Sequence, residues 1–326
     1  MDEQSIECEA GCIDIEEFCG RLAESLLLCH SVEPPPDHIR KDYHPADECT
    51  CFKTEFTVHI TSKSPGILFL MPNAIMKFQP AFPPSSQAAS LSYLNERTRI
   101  PIPTVFHECI EHRHPFLVTS RTHGQDLRSA WSALSGDAKK RIAMQAAAHL
   151  SDMRSLTSDR IEAVGHLPLH ERALFGAAGQ KPLSSDDELW DRLRQPLASE
   201  DVDEDTLALL RGKMPRGTPY TFTHCDLTFS NIMVKDGSFA GFIDFERAGF
   251  FPVWYEYVMC RHGIDEEDVE WKKLLSGQMV DQHPKAMNWF LALKGLGVEP
   301  HGGETERWVK AVRDGSEECP VMMRDW

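Results

Sequence analysis

The chain has 326 residues and a mass of 36.9 kDa, enough for one large or two ordinary domains. Hydrophobic residues make up 41% and charged residues 26%, with no periodic Gly or Pro pattern, which excludes a mainly disordered or a fibrous chain. Lys plus Arg total 34 against 50 Asp plus Glu, a formal net charge of −16; so acidic a surface repels phosphodiester backbones, argues against nucleic acid as a partner, and would draw a cationic small molecule.

The opening Met1-Asp2-Glu3-Gln4 is acidic, where a secretory signal needs a basic start and an apolar core. The most apolar early run, Leu26-Leu27-Leu28-Cys29, is far too short to span a bilayer. A cytoplasmic protein with no membrane partner is expected, its ten cysteines kept as thiols. Cys49-Thr50-Cys51 and the Cys8/Cys12 pair do not form two zinc-type ligand pairs, and His107 with His112 stands too far downstream to complete either. Ile15, Phe18, Cys19, Leu22 and Leu26 recur at helical spacing and predict an amphipathic helix over residues 13–30. Glu33-Pro34-Pro35-Pro36-Asp37 ends it, because proline cannot continue the hydrogen-bond ladder, and residues 31–50 read as a connector.

From Cys51 the period shortens to two. Phe56, Val58 and Ile60 alternate with polar residues, Ser62-Lys63-Ser64-Pro65-Gly66 is a turn cluster, and Ile67–Met71 and Ala74–Phe78 are short apolar runs. Together they predict an antiparallel meander. Residues 85–97 are helical, with Ala88, Leu91 and Leu94 on one face; Pro115–Thr119 is a further buried strand, and Thr122-His123-Gly124 is hinge-like. Beyond residue 124 helices dominate: a long core helix over 138–156, an acidic helical stretch over 184–211, and helical patterns from Trp254 onward. Short strands are expected at 219–223, 231–235 and 239–243. The expected fold class is α+β, with residues 1–50 as helix and connector, 51–122 as a small antiparallel-sheet lobe, and 123–326 as a larger, mainly helical lobe.

The chemistry concentrates in Thr223-His224-Cys225-Asp226-Leu227-Thr228-Phe229-Ser230-Asn231-Ile232. An Asp followed five residues later by an Asn, just before a β run, suits a phosphoryl-transfer loop: the carboxylate orients an attacking hydroxyl and the carboxamide oxygen ligates Mg²⁺. Thirteen residues further on, Gly241-Phe242-Ile243-Asp244-Phe245-Glu246 ends an apolar strand in a carboxylate, a second hard oxygen ligand. His224 reads as a structural residue of the loop, and Cys225 as a small buried filler rather than a nucleophile.

The run from His224 to Tyr257 resembles the aminoglycoside phosphotransferase and choline-kinase-like superfamily, whose members have the protein-kinase-like bilobal fold and a His-x-Asp-x-x-x-x-Asn loop. The continuation Gly249-Phe250-Phe251-Pro252 and Tyr255-Glu256-Tyr257 resembles its fungal branch, and Thr98–Val105 is similar to the family's joint between helix and strand. The resemblance implies Asp226 as catalytic base, Asn231 and Asp244 as Mg²⁺ ligands, Lys77 on the α- and β-phosphates of ATP, and the backbone of Thr119, Ser120, Arg121 and Thr122 at the adenine edge. Two departures stand out. Gln87 occupies the place of the glutamate that pairs with the strand lysine, and an amide cannot neutralise an ammonium. The phosphate loop Thr61–Gly66 has one glycine, so no Gly-x-Gly cradle is evident.

These features imply an ATP- and Mg²⁺-dependent phosphotransferase acting on a small-molecule hydroxyl. The alternative is a nucleotide-binding pseudoenzyme or interaction module, motivated by Gln87 and the glycine-poor loop. The acidic runs Ser199–Asp205 and Asp265–Asp268 would either attract an aminated acceptor or stand as solvated helix ends. Acceptor identity and oligomeric state are not encoded in any motif.

Overall fold

The computed structural model describes residues 6–8, 11–13, 57–61, 66–70, 73–78, 86–111, 114–176, 179–199, 202–317 and 322–323. Nearly all of the expected N-terminal helix, the connector and the centre of the glycine-poor loop lie outside these residues. The chain divides into two compact units, residues 1–92 with 103–122, and residues 93–102 with 123–326.

In the first unit, β1 (Ile6–Cys8) and β2 (Gly11–Ile13) form a short antiparallel hairpin. The main sheet is built from β3 (Thr57–Thr61), β4 (Gly66–Leu70) and β5 (Ala74–Phe78), followed by helix α1 (Gln87–Arg97) and then β6 (Val105–Glu111) and β7 (His114–Ser120). Its order is β3-β4-β5-β7-β6, with every neighbouring pair antiparallel. The three sequential strands are the meander that the alternation predicts. Ala74 and Met76 are fully buried, while Ile75 and Lys77 on the other face are partly exposed, as a period of two demands. β6 is an edge strand that the sequence reading missed. Its register shifts between Val105 and His107, and with His107, Glu108 and Glu111 in the run it lacks a clean apolar alternation.

The chain re-enters the second unit at His123, and at Gly124 φ is +128° and an added Cβ would lie 2.3 Å from the Val234 carbonyl oxygen; only glycine passes there. β8 (Gln125–Asp126), α2 (Leu127–Ala130), α3 (Gly136–Arg154) and β9 (Thr157–Ser158) follow. α3 is capped by the Ser135 side chain and buries Ile142, Ala146, Leu150 and Met153 along one stripe. After the short α4 (Arg172–Phe175), the acidic stretch is broken into α5 (Asp186–Leu193), a 3₁₀ turn (Gln195–Ser199) and α6 (Glu204–Gly212), because Pro196 cannot sit inside a continuous helix. β10 (Tyr220–Thr223), β11 (Ile232–Lys235), β12 (Ser238–Phe242) and β13 (Gly249–Phe251) carry the chemical segments. They form two three-stranded sheets, β13-β10-β9 and β12-β11-β8. Asp236 and Gly237, both with positive φ, make the tight turn of the β11–β12 hairpin.

The chain then runs through α7 (Tyr255–Met259), β14 (His262–Gly263), α8 (Glu266–Gln278), α9 (Pro284–Leu296), α10 (Gly303–Asp314) and β15 (Met322–Met323). An aromatic core of Trp254, Tyr255, Trp289 and Phe290 joins α7 to α9 through edge-to-face contacts. Among the described residues no helix is long and apolar enough to cross a membrane, and Cys225 and Cys260 are buried thiols.

Candidate active site

Strand β10 is buried along its whole length and delivers the chain into the segment 224–231, which closes with a 3₁₀ turn at Phe229–Asn231 before β11. Between them Cys225 takes φ +69°, a left-handed backbone that costs a non-glycine residue about 1 kcal/mol or more and must be held in place. Glu256 of α7 holds it. This fully buried carboxylate accepts the His224 N–H at 2.5 Å through Oε2 and the Cys225 N–H at 3.3 Å through Oε1. Burial raises the Glu256 pKa, opposed by those N–H groups and by Arg154 and Lys272.

Helix α8 fastens the other side of the loop. Asp268, also fully buried, accepts the Phe229 N–H at 2.8 Å and the Ile264 N–H at 3.0 Å, and the Trp271 indole donates to the Leu227 carbonyl at 3.0 Å. Both acidic runs therefore serve as helix caps: Asp203 accepts from Thr206 and Asp265 from Asp268, while Asp268 itself turns inward.

Two hydrogen bonds link the Asp226 loop to the strand end that carries Asp244, and two more brace the loop within itself. His224 Nε2 donates to the Ile243 carbonyl at 3.0 Å, and its Nδ1 accepts the Asp226 N–H at 3.3 Å. That pattern needs a neutral imidazole, and burial lowers the His224 pKa against the pull of Asp226. The Ile243 N–H donates to the Asn231 carbonyl at 3.1 Å. Asn231, nearly buried, turns its amide nitrogen onto the Asp226 carbonyl at 2.8 Å, which aims its Oδ1 elsewhere. Asp244, one residue past Ile243, adopts φ +66° at a partly exposed position. Asp226, Asn231 and Asp244 thus share one hydrogen-bonded frame.

The donors suit Mg²⁺: an amide oxygen and a carboxylate, both hard, with no sulfur or imidazole in the set. Among the described residues no group of three or more His, Cys, Asp and Glu could hold a metal alone.

Sequence reasoning missed the charges around Asp226. The Arg247 guanidinium, pulled down by burial, is held above its ordinary pKa by the carboxylates of Asp226, Glu171 and Glu246. Glu171 is fully buried; its Oε1 accepts the Ala173 N–H at 3.0 Å and the Tyr255 hydroxyl at 3.1 Å. The signal available was Arg247 three residues after Asp244; nothing local marks Glu171. Cys225 has the inert character expected of it, since burial, Glu171 and Glu256 push its thiol well above the ordinary range.

In the first unit, Lys77 Nζ donates to Gln87 Oε1 at 3.4 Å, so the strand lysine and the helix amide meet. Glu96, an acid near the end of the same helix α1, is exposed and pairs with Arg97 at 2.7 Å. In the 119–122 segment, Thr119 lies opposite Ile75 in the sheet. The N–H groups of Ser120 and Arg121 donate to the carbonyls of Thr104 (2.8 Å) and Asn73 (2.9 Å). Among the described residues no backbone acceptor takes the Thr122 N–H.

Known proteins share this architecture. The chain superposes on the ternary complex of APH(2")-IIa with streptomycin and ATP with a TM-score of 0.51 at 13% identity, over 82% of this chain and 94% of that one. It superposes on ADP-bound aminoglycoside phosphotransferase APH(2'')-Ib with a TM-score of 0.50 at 13% identity, over 82% and 93%. The fold is thus the α+β, kinase-like fold of these phosphotransferases. The model of the phosphotransferase enzyme family matches residues 75–277, more than half of the chain, and the chain belongs to that family. Two curated relatives, aminoglycoside 3'-phosphotransferases of Enterococcus faecalis and Staphylococcus aureus, are 48% and 46% identical over 46 residues. That stretch is 14% of this chain and 17% and 18% of those enzymes' own lengths.

Proposed function

We propose that the chain transfers the γ-phosphoryl group of ATP to a hydroxyl of a small molecule, with Asp226 as the base. The observation that carries this reading is the frame joining Asp226, Asn231 and Asp244 through His224 and Ile243. A binding scaffold has no need of a base and two oxygen ligands tied to one another. Asp226 would accept the hydroxyl proton as the acceptor oxygen attacks, and the neighbouring Arg247 would hold that carboxylate in one orientation. Asn231 Oδ1 and the Asp244 carboxylate would hold Mg²⁺, whose contribution when bound is neutralisation of phosphate charge. Lys77 would meet the nucleotide's α- and β-phosphates, steadied by Gln87 rather than by an acid. With the Ser120 and Arg121 N–H groups engaged, the adenine edge would meet the Thr122 N–H and the carbonyls of this segment.

The neutral Lys77–Gln87 contact favours a second reading, a module that binds nucleotide without turning it over. Calorimetry of ATP binding with Mg²⁺ and with EDTA, followed by ADP release over amino-alcohol and sugar acceptors, separates the two. Metal-dependent binding that Asp244→Ala abolishes, together with acceptor-dependent ADP release, is the expected result. Binding without release under any acceptor would favour the module.

A further inference from the structure

A pocket of about 380 Å³ lies in the second unit between the end of α4, the end of α5 with the 3₁₀ turn after it, and the end of α9. That volume is in the range that takes small organic ligands. Its walls are mostly apolar, with Leu174, Leu193 and Leu293 within and Val298 at the lip. Val298 is 83% exposed, a large apolar side chain left in water at the mouth.

Two cations stand in this apolar wall, Arg192 and Lys294, and among the described residues no carboxylate lines it with them. In a chain of net charge −16 that is a local inversion of sign. Arg192 spends its donors on neutral acceptors: Nε on Gln180 Oε1 at 2.9 Å, Nη1 on Gln195 Oε1 at 3.5 Å, and Nη2 on the Phe175 carbonyl. No hydrogen bond or ion pair engages the Lys294 ammonium among the described residues; it lies 5.7 Å from the centroid of the Phe290 ring. Burial lowers the Lys294 pKa, Glu171 opposes that pull and Arg192 reinforces it. Glu171 is sealed inside the core with Ala173 and Tyr255 on its Oε1, and among the described residues it makes no ion pair with Lys294.

We propose that this pocket binds a small amphipathic monocarboxylate of the size of a medium-chain fatty acid. Its carboxylate would sit on Lys294, with Arg192 behind, and its hydrocarbon body would run along the leucines and out under Val298. A single negative charge fits best: Arg192 is already committed, which leaves one ammonium to pair, and the acidic surroundings disfavour a polyanion. The proposal does not rest on phosphoryl transfer.

The test is calorimetric titration of the full chain, without nucleotide, using octanoate, octan-1-ol and octylamine. Saturable binding of octanoate is expected, with the alcohol and the amine about tenfold or more weaker. Lys294→Met should weaken octanoate about tenfold or more while the thermal midpoint holds or rises, because a partly buried cation with no ion-pair partner is gone. Val298→Asp, at a position too exposed to affect folding, should also weaken octanoate by setting a like charge at the mouth. Absence of saturable octanoate binding, equal affinity for octanol, or an unchanged affinity in Val298→Asp would each overturn the assignment.

Discussion

Gln87 takes the Lys77 ammonium as a neutral amide at 3.4 Å, where a carboxylate would add a charge-assisted bond. Gln87→Glu should therefore sharpen the lysine's position, lowering KM for ATP or raising kcat by about threefold to tenfold, since a charge-assisted bond exceeds a neutral one by roughly 1 kcal/mol. Steady-state kinetics decide it, and no change in either constant would mean that this contact does not set the lysine. Asp226→Asn should lower kcat by about 10²–10⁴-fold, the usual worth of a general base, with ATP affinity within a few fold by calorimetry. Retained turnover would remove Asp226 from the proposed role. Arg247→Gln should lower kcat more than it changes KM for ATP, with partial recovery in Arg247→Lys, because a point charge replaces only part of a planar fork. The Asp–Asn–Asp spacing was readable because it is local in sequence. Arg247 and Glu171 were not, because their meaning comes from burial beside Asp226 and Tyr255, and Tyr255 stands 84 positions from Glu171.

At the scale of elements, the catalytic segment borrows its shape from helices that follow it. α7 supplies Glu256 and α8 supplies Asp268 and Trp271, so loop geometry depends on how those helices pack. Asp268→Asn keeps the size but replaces one acceptor oxygen by a donor, leaving the N–H of Phe229 or Ile264 without its partner. The expected cost is about 1–3 kcal/mol of stability in urea unfolding, together with lower turnover at unchanged ATP affinity. A variant as stable as the parent would show that the loop does not need this clamp. The same element shows why legibility was uneven. Asp265-Glu266-Glu267-Asp268 reads as a solvated helix start, which is true of Asp265 as cap; only the helix phase turns Asp268 inward. Conversely, the β3–β4–β5 meander was visible because each strand carries its own turn and alternation, whereas β6, an edge strand with charged residues, offers no such pattern.

At the scale of the whole molecule, an acidic protein keeps some carboxyl groups in its interior, and these run against the usual direction of acid denaturation. Burial raises the Glu171 pKa, and Asp226 adds to the rise, against the opposing pull of Arg247, Ala173 and Tyr255. The folded chain then holds this proton more tightly than the unfolded chain does. The stability that the group contributes is fully present below its ordinary carboxylate pKa and is lost as pH rises through the raised value. Glutamine at this position never ionises, so it escapes that loss while keeping an oxygen for the Ala173 N–H and the Tyr255 hydroxyl. Glu171→Gln should therefore gain thermal stability over the parent, with the gain small near pH 5 and larger near pH 8. Melting curves of both proteins across that range are the check. A gap that stays constant or narrows as pH rises would mean that Arg247 holds Glu171 ionised in the folded chain, so that its charge ties α4 to the arginine beside Asp226.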